Sequence, residues 1–131
     1  MLTAGEIMTE DVVTIGPDSL ISEAIELLLI QEISGMPVSD NQGQLIGIVT
    51  EFAMLGIAYD DKICQEKVSE HMTTELLTID VDDPVSKVAD ICIAHRVRRL
   101  PVVKNGRLVG LIARRDVLKA MYEVKALSYT A

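Results

Sequence analysis

The chain has 131 residues, enough for one domain with a real core, and its 49% apolar and 24% charged composition excludes a disordered polymer. A formal net charge of −8 argues against generic binding to nucleic acid or an anionic membrane, both of which require a cationic surface. The charge is uneven: residues 1–66 hold one cation, Lys62, against twelve acids, whereas residues 67–131 hold eleven cations against eight acids.

In chain order, Ile7-Met8-Thr9 leads into residues 12–15, a β-branched run that predicts a strand. Gly16-Pro17-Asp18-Ser19 is a turn, with Asp18 or Ser19 placed to cap the next helix. Over residues 20–32, Ile21, Ala24, Ile25, Leu28 and Leu29 keep the spacing of an amphipathic helix, which Ser34-Gly35 stops. Residues 36–39 and 44–50 read as strands around a turn at residues 40–43, and residues 51–57 as a short helix. Residues 59–67 are polar and unpatterned, the expected linker.

The order then repeats. Residues 76–79 predict a strand, and Pro84 opens a helix to about His95 with Val85, Val88, Ala89, Cys92 and Ile93 on one side. Residues 100–103 and 108–113 predict strands joined by the tight turn Lys104-Asn105-Gly106-Arg107, and residues 114–123 a closing helix. The last eight residues, 124–131, form a tail too short to classify. Met72 follows Met8 by 64 positions and Pro101 follows Pro37 by 64; Gly110 follows Gly47 by 63, because the second hairpin turn is one residue shorter. A single slip inside a turn marks a duplicated unit. Neither half could easily bury its faces alone, so the halves are expected to pack with approximate two-fold symmetry.

Each half resembles a cystathionine β-synthase (CBS) domain, and the whole resembles a stand-alone tandem pair, or Bateman module. The matching stretches are IMTEDVVTI with ISGMPVSDNQGQLIGIVT, and HMTTELLTI with RVRRLPVVKNGRLVGLIARRD. The resemblance implies an α+β fold of two β-α-β-β-α repeats, at residues 7–58 and 68–123, with a linker at 59–67. It further implies clefts between the repeats that take adenosine-containing ligands, and a homodimer, for which the helices around Leu55 and Met121 are candidate faces.

In such domains the strand-helix junction carries a Thr or Ser and, three residues on, an Asp that accepts hydrogen bonds from ribose hydroxyls. An ionised carboxylate accepts without donating, which suits that role. The second repeat keeps Asp116 but has Ala113 in the hydroxyl position; the first keeps Thr50 but has Ala53 in place of the acid. The Asp116 cleft is therefore the expected site. By resemblance it would be walled by Thr9, Val12, Val13 and Thr14, with Ile33 and Ser34, while Arg98 and Arg99 reach phosphate; Arg115 is a further candidate ligand contact. The alternatives stay open: Asp116 as an acid favoured at any helix start, and the arginines as solvated or paired with acids.

The two cysteines, Cys64 and Cys92, form neither a disulfide framework nor a metal-ligand cluster, and Cys92 reads as a small core residue. No run approaches the roughly 20 apolar residues of a membrane span, and the start lacks a signal-peptide pattern, so a cytoplasmic protein is expected. No nucleophile-base set or carboxylate pair emerges, hence no catalytic residues, no metal and no cofactor. Two functions compete. One is a sensor of an adenine nucleotide, AMP before ADP or ATP and S-adenosylmethionine after them; the other is a ligand-free scaffold that regulates a partner protein.

Overall fold

The computed structural model describes residues 2–130, with side chains through Glu123. Its elements are α1 (Ala4–Ile7), α2 (Ile21–Ile30), β1 (Gly35–Ser39), β2 (Leu45–Thr50), α3 (Glu51–Leu55), α4 (Asp61–Cys64), β3 (Ile79–Asp80), α5 (Val85–His95), β4 (Arg99–Lys104), β5 (Arg107–Ala113) and α6 (Arg114–Thr130). They form two compact units. Unit 1 joins the residues up to Val12 to those from Leu77 onward, and unit 2 is Val13–Leu76. Both units are α+β and are built on the same plan.

In unit 1, β3 runs parallel to β4 and β4 antiparallel to β5, with Leu100 opposite Ile112 and Val102 opposite Gly110. The hairpin turn works because Asn105 and Gly106 both adopt positive φ, 53° and 79°, the handedness that tight hairpins require. Thr9 then pairs with the free side of β5, exchanging both backbone hydrogen bonds with Leu111 at 2.9 Å. Gly110 permits this approach: a Cβ there would collide with the Met8 side chain and stand 3.0 Å from the Thr9 carbonyl oxygen. α5 and α6 cover the sheet, burying Val88, Leu100, Val102, Ile112 and Val117 in one apolar cluster with Ala4 and Ile79.

Unit 2 repeats the plan. Ile15 bridges Val38 in parallel, β1 pairs antiparallel with β2, and Thr73 exchanges hydrogen bonds with Ile48 at 2.9 Å. Gly47 faces Met72 as Gly110 faces Met8. The core gathers Ile21, Ala24 and Leu28 of α2 with Met36, Val38, Val49, Met54 and Val68. Each unit is thus completed by the segment that opens the other sequence repeat.

This exchange explains why the two predicted β-branched strands are short. Thr9 belongs to the sheet of unit 1 and Ile15 to that of unit 2, so the chain passes from one to the other and only its ends are paired. The second run is likewise confined to Ile79–Asp80. Neither Asp18 nor Ser19 caps α2. Leu20 occupies the cap, Glu23 Oε1 accepts its N–H at 3.2 Å, and Asp18 meets Lys67 Nζ at 3.4 Å instead.

The polar stretch at 59–67 contains α4, whose first turn is held by Asp60 Oδ1 accepting the N–H groups of Lys62 and Ile63. It docks on α2, where Ile21 N–H donates to the Glu66 carbonyl at 2.9 Å, and Val68 beyond it is fully buried. Ile93 and Leu29, read from their spacing as part of the buried helix faces, are exposed, and Cys92 is only half-buried. α6 runs through Thr130, so its backbone absorbs the tail at 124–130; residue 131 lies outside the described residues.

Candidate functional site

β5 delivers the chain directly into α6, and at that junction several predicted residues meet. Arg99 stands opposite Ala113 in the β4–β5 ladder, and Arg114 N–H donates to the Arg98 carbonyl at 2.9 Å. Arg98, Arg99, Ala113, Arg115 and Asp116 therefore share one corner of unit 1. Thr9 lies on the other side of β5, paired two residues upstream of Ala113. The guanidinium-bearing residues Arg98, Arg99, Arg114 and Arg115 are exposed, whereas Ala113 and Asp116 are half-buried. Arg98, Arg114 and Arg115 take part in no ion pair among the described residues.

Asp116 is partly engaged by the fold. Its Oδ2 accepts the Ala113 N–H at 3.3 Å, the reach of a third helical residue back to the cap. That leaves the other carboxylate oxygen, in the first turn of a helix whose exposed N–H groups also favour anions. The corner thus offers an acceptor for hydroxyls on a stretch of backbone that also carries several exposed guanidinium groups. An ester of phosphoric acid with a vicinal diol is the chemistry it matches.

The equivalent corner of unit 2 has the same backbone and different side chains. Glu51 N–H donates to the Ser34 carbonyl at 2.9 Å, as Arg114 does to Arg98, and Gly35 stands opposite Thr50. Thr50 Oγ1 accepts the Ala53 N–H at 3.2 Å and so caps α3. Where unit 1 has Arg98, Arg99, Arg115 and Asp116, unit 2 has Ser34, Gly35, Phe52 and Ala53. Cation and ribose-type acceptor are both missing.

The other predicted walls are divided. Val12 is half-buried in unit 1, while Val13, Thr14, Ile33 and Ser34 belong to unit 2. Val13 and Ile33 pack against the unit 2 core, Thr14 is exposed, and Ile33 N–H closes the end of α2 on the Leu28 carbonyl at 3.1 Å.

Two features have no counterpart in the sequence reading. α5 and α6 leave an apolar groove of about 420 Å³ between them, floored by Ala89, Cys92 and Val117 and edged by Ile93, Leu118 and Met121, with Arg114 and Arg115 at one end. Burial lifts the Cys92 thiol above its ordinary pKa, and the Arg114 charge pulls it partway back. The second feature is Glu66, Glu70 and His71, whose ligand-type atoms lie within 4.8 Å of one another, with His71 Nε2 at 3.0 Å from Glu66 Oε1. Their spacing over one turn, two acids and a histidine within six residues, was the available signal.

The family model for the CBS domain matches residues 4–59 and again residues 68–123. The chain is similar to an inosine-5'-monophosphate dehydrogenase of Methanocaldococcus jannaschii, 38% identical over 117 residues; these are 88% of this chain and only 23% of that enzyme. Among solved structures, CBSX2 of Arabidopsis thaliana in complex with AMP superposes with a TM-score of 0.84 at 27% identity, covering 95% of this chain and 99% of that one. The CBS-domain containing protein ATU1752 of Agrobacterium tumefaciens superposes with a TM-score of 0.75 at 32% identity, covering 92% and 99%. No helix among the described residues is long and apolar enough to cross a membrane.

Proposed function

The chain belongs to the CBS-domain family as a tandem pair, and on that premise we propose that it is a regulatory module rather than an enzyme and senses an adenine nucleotide, AMP ahead of ADP or ATP. One observation carries the reading: Arg98, Arg99, Arg115 and Asp116 converge at the start of α6, while the matching corner of unit 2 lacks every one of these charges. In this reading the guanidinium groups grip phosphate and Asp116 accepts from the ribose hydroxyls. Thr9 and Val12 of the same unit remain candidate contacts for the base. The AMP complex of CBSX2 supports the ligand class.

The signal is read by a homodimer and passed to a partner protein in the cytoplasm, with no cofactor or metal required. A ligand can bias an assembly only if it binds one arrangement better than another. Calorimetric titration of AMP, ATP and S-adenosylmethionine into the wild-type chain tests the proposal. Saturable binding with AMP tightest is expected, and no binding at millimolar ligand refutes it. A second reading, a scaffold with no ligand, draws on Asp116 Oδ2 and Thr50 Oγ1 both serving as helix caps. Under it, all three titrations are flat.

A further inference from the structure

Glu66, Glu70 and His71 lie on a stretch of backbone that unit 2 holds at three points. Ile21 N–H donates to the Glu66 carbonyl at 2.9 Å, Val68 N–H to the Ser19 carbonyl at 2.8 Å and Ser69 N–H to the Pro17 carbonyl at 3.0 Å. Val68 is fully buried, and a single 3₁₀ turn over Val68–Glu70 ends with His71 N–H donating to the Val68 carbonyl at 3.0 Å. The three side chains therefore rise from a fixed frame, with their ligand-type atoms within 4.8 Å of one another. His71 Nε2 and Glu66 Oε1 stand 3.0 Å apart. Two ligands on one tetrahedral zinc ion, with bonds of roughly 2.0–2.2 Å, are separated by about 3.3 Å. Glu70 is exposed, so its carboxylate can close the remaining gap by rotating about its own side-chain bonds.

The duplication shows what this set replaces. Leu2, Glu6 and Ile7 precede Glu66, Glu70 and His71 by 64 positions. Their backbone is held in the same way: Val85 N–H donates to the Leu2 carbonyl, Ala4 N–H to Asp83 and Gly5 N–H to Val81. In that copy the acid is consumed by the fold, since Glu6 Oε1 accepts both the N–H and the hydroxyl of Thr3 at 3.1 Å. Lys67 stands at the equivalent of Thr3; it has no acceptor-seeking hydroxyl, and its Nζ turns to Asp18 Oδ1 at 3.4 Å. Glu70 is thereby released from capping, and its side chain enters no hydrogen bond or ion pair among the described residues. Where unit 1 has two apolar side chains and an occupied acid, unit 2 has an imidazole and two carboxylates, one of them unengaged.

We propose that Glu66, Glu70 and His71 bind one divalent first-row transition ion of the zinc type, with solvent in the remaining coordination positions. The imidazole nitrogen favours that class over magnesium and calcium, and the lack of a thiolate in the set disfavours copper(I). Two carboxylates match the charge of the ion. The bound ion pins residues 66–71, which carry the chain out of α4 to Met72 and to Thr73, the partner of Ile48 on β2. The site shares no residue with the Arg98–Asp116 corner and stands or falls without the nucleotide reading.

Zinc chloride titrated into the chelator-stripped full-length chain, followed by calorimetry, should show one saturable equivalent at micromolar concentration. Loss of an outer-shell partner alone costs about 10- to 100-fold in metal affinity, so loss of a ligand should cost at least roughly tenfold. Glu70→Gln, at an exposed side chain, should show that loss with an unchanged metal-free melting temperature. His71→Ala should weaken zinc at least as much, and zinc should raise the melting temperature of the wild type more than that of either variant. Cobalt(II) in place of zinc should give d–d bands and no thiolate charge-transfer band, which excludes Cys64 and Cys92 as ligands. Zinc held by both variants as tightly as by the wild type, a thiolate band, or magnesium bound as tightly as zinc overturns the assignment. So does a flat zinc titration.

Discussion

Replacing Asp116 separates a ligand group from a helix cap. The Oδ2–Ala113 N–H bond is 3.3 Å long and the side chain half-buried, so its loss belongs at the low end of capping effects, about 0.5–1 kcal/mol of stability. A hydrogen bond to a charged group in a binding site contributes about 1.5–3 kcal/mol, which is roughly 10- to 150-fold in affinity. Asp116→Ala should therefore lower the melting temperature by a few degrees at most and weaken AMP binding by one to two orders of magnitude. Asp116→Asn keeps an oxygen for Ala113 and loses the charge, so it should restore most of the stability and little of the affinity. Thermal unfolding and calorimetry on the same three proteins read both quantities. Asp116→Ala that melts earlier yet titrates AMP as the wild type does would show the carboxylate to be a cap only, and would remove it from the site.

Other perturbations test the parts that hold this corner together. Gly110→Ala places a Cβ against Met8 and the Thr9 carbonyl, and urea unfolding should register a loss of about 1–3 kcal/mol, partly recovered by adding Met8→Ala. Arg96 ends α5 in the left-handed conformation, φ 52°, so Arg96→Gly should raise stability by up to about 1 kcal/mol; a decrease would mean the arginine side chain makes a contact worth more than the strain. Arg98→Ala should weaken AMP binding and flatten its dependence on salt, and calorimetry at two ionic strengths would show whether it does. The raised Cys92 pKa predicts slow alkylation at neutral pH that accelerates only in alkali. Arg114→Ala removes the charge that lowers it and should shift that profile further toward alkali, measured in a Cys64→Ser background.

How much of this was legible from sequence follows from where periodic signals exist. The β4–β5 hairpin was readable because Asn105-Gly106 can supply two successive positive φ angles, and because the apolar residues around it are continuous with strand pairing. Arg98, Arg99, Ala113 and Asp116 come together through that local hairpin, so their convergence could be inferred without long-range contacts. The exchange of Thr9 and Thr73 between the sequence repeats could not, since one paired residue leaves no period. Its trace is in the glycines, each facing the methionine that precedes the paired threonine. The exposed stripe was misread for the opposite reason. Ile93 and Leu29 continue the helical spacing of Val85, Val88, Ile21 and Ala24, and spacing alone does not reveal where the underlying sheet stops.

The same duplication accounts for both the site and the surface. Two copies of one backbone put equivalent positions in equivalent places, so any difference between the units is carried by side chains. At the corner, the second repeat holds three arginines and an acid against Ser34, Gly35, Phe52 and Ala53; on the helices, it holds a groove against a projecting ring. Position 115 and its counterpart 52 belong to both comparisons. An arginine there can serve a phosphate, and a phenylalanine can serve an apolar recess, but no single residue type does both. Phe52→Arg should then give unit 2 no nucleotide site, because Ala53 still lacks the acceptor. A Phe52→Arg chain that gains a second AMP equivalent by calorimetry would contradict the weight placed on Asp116.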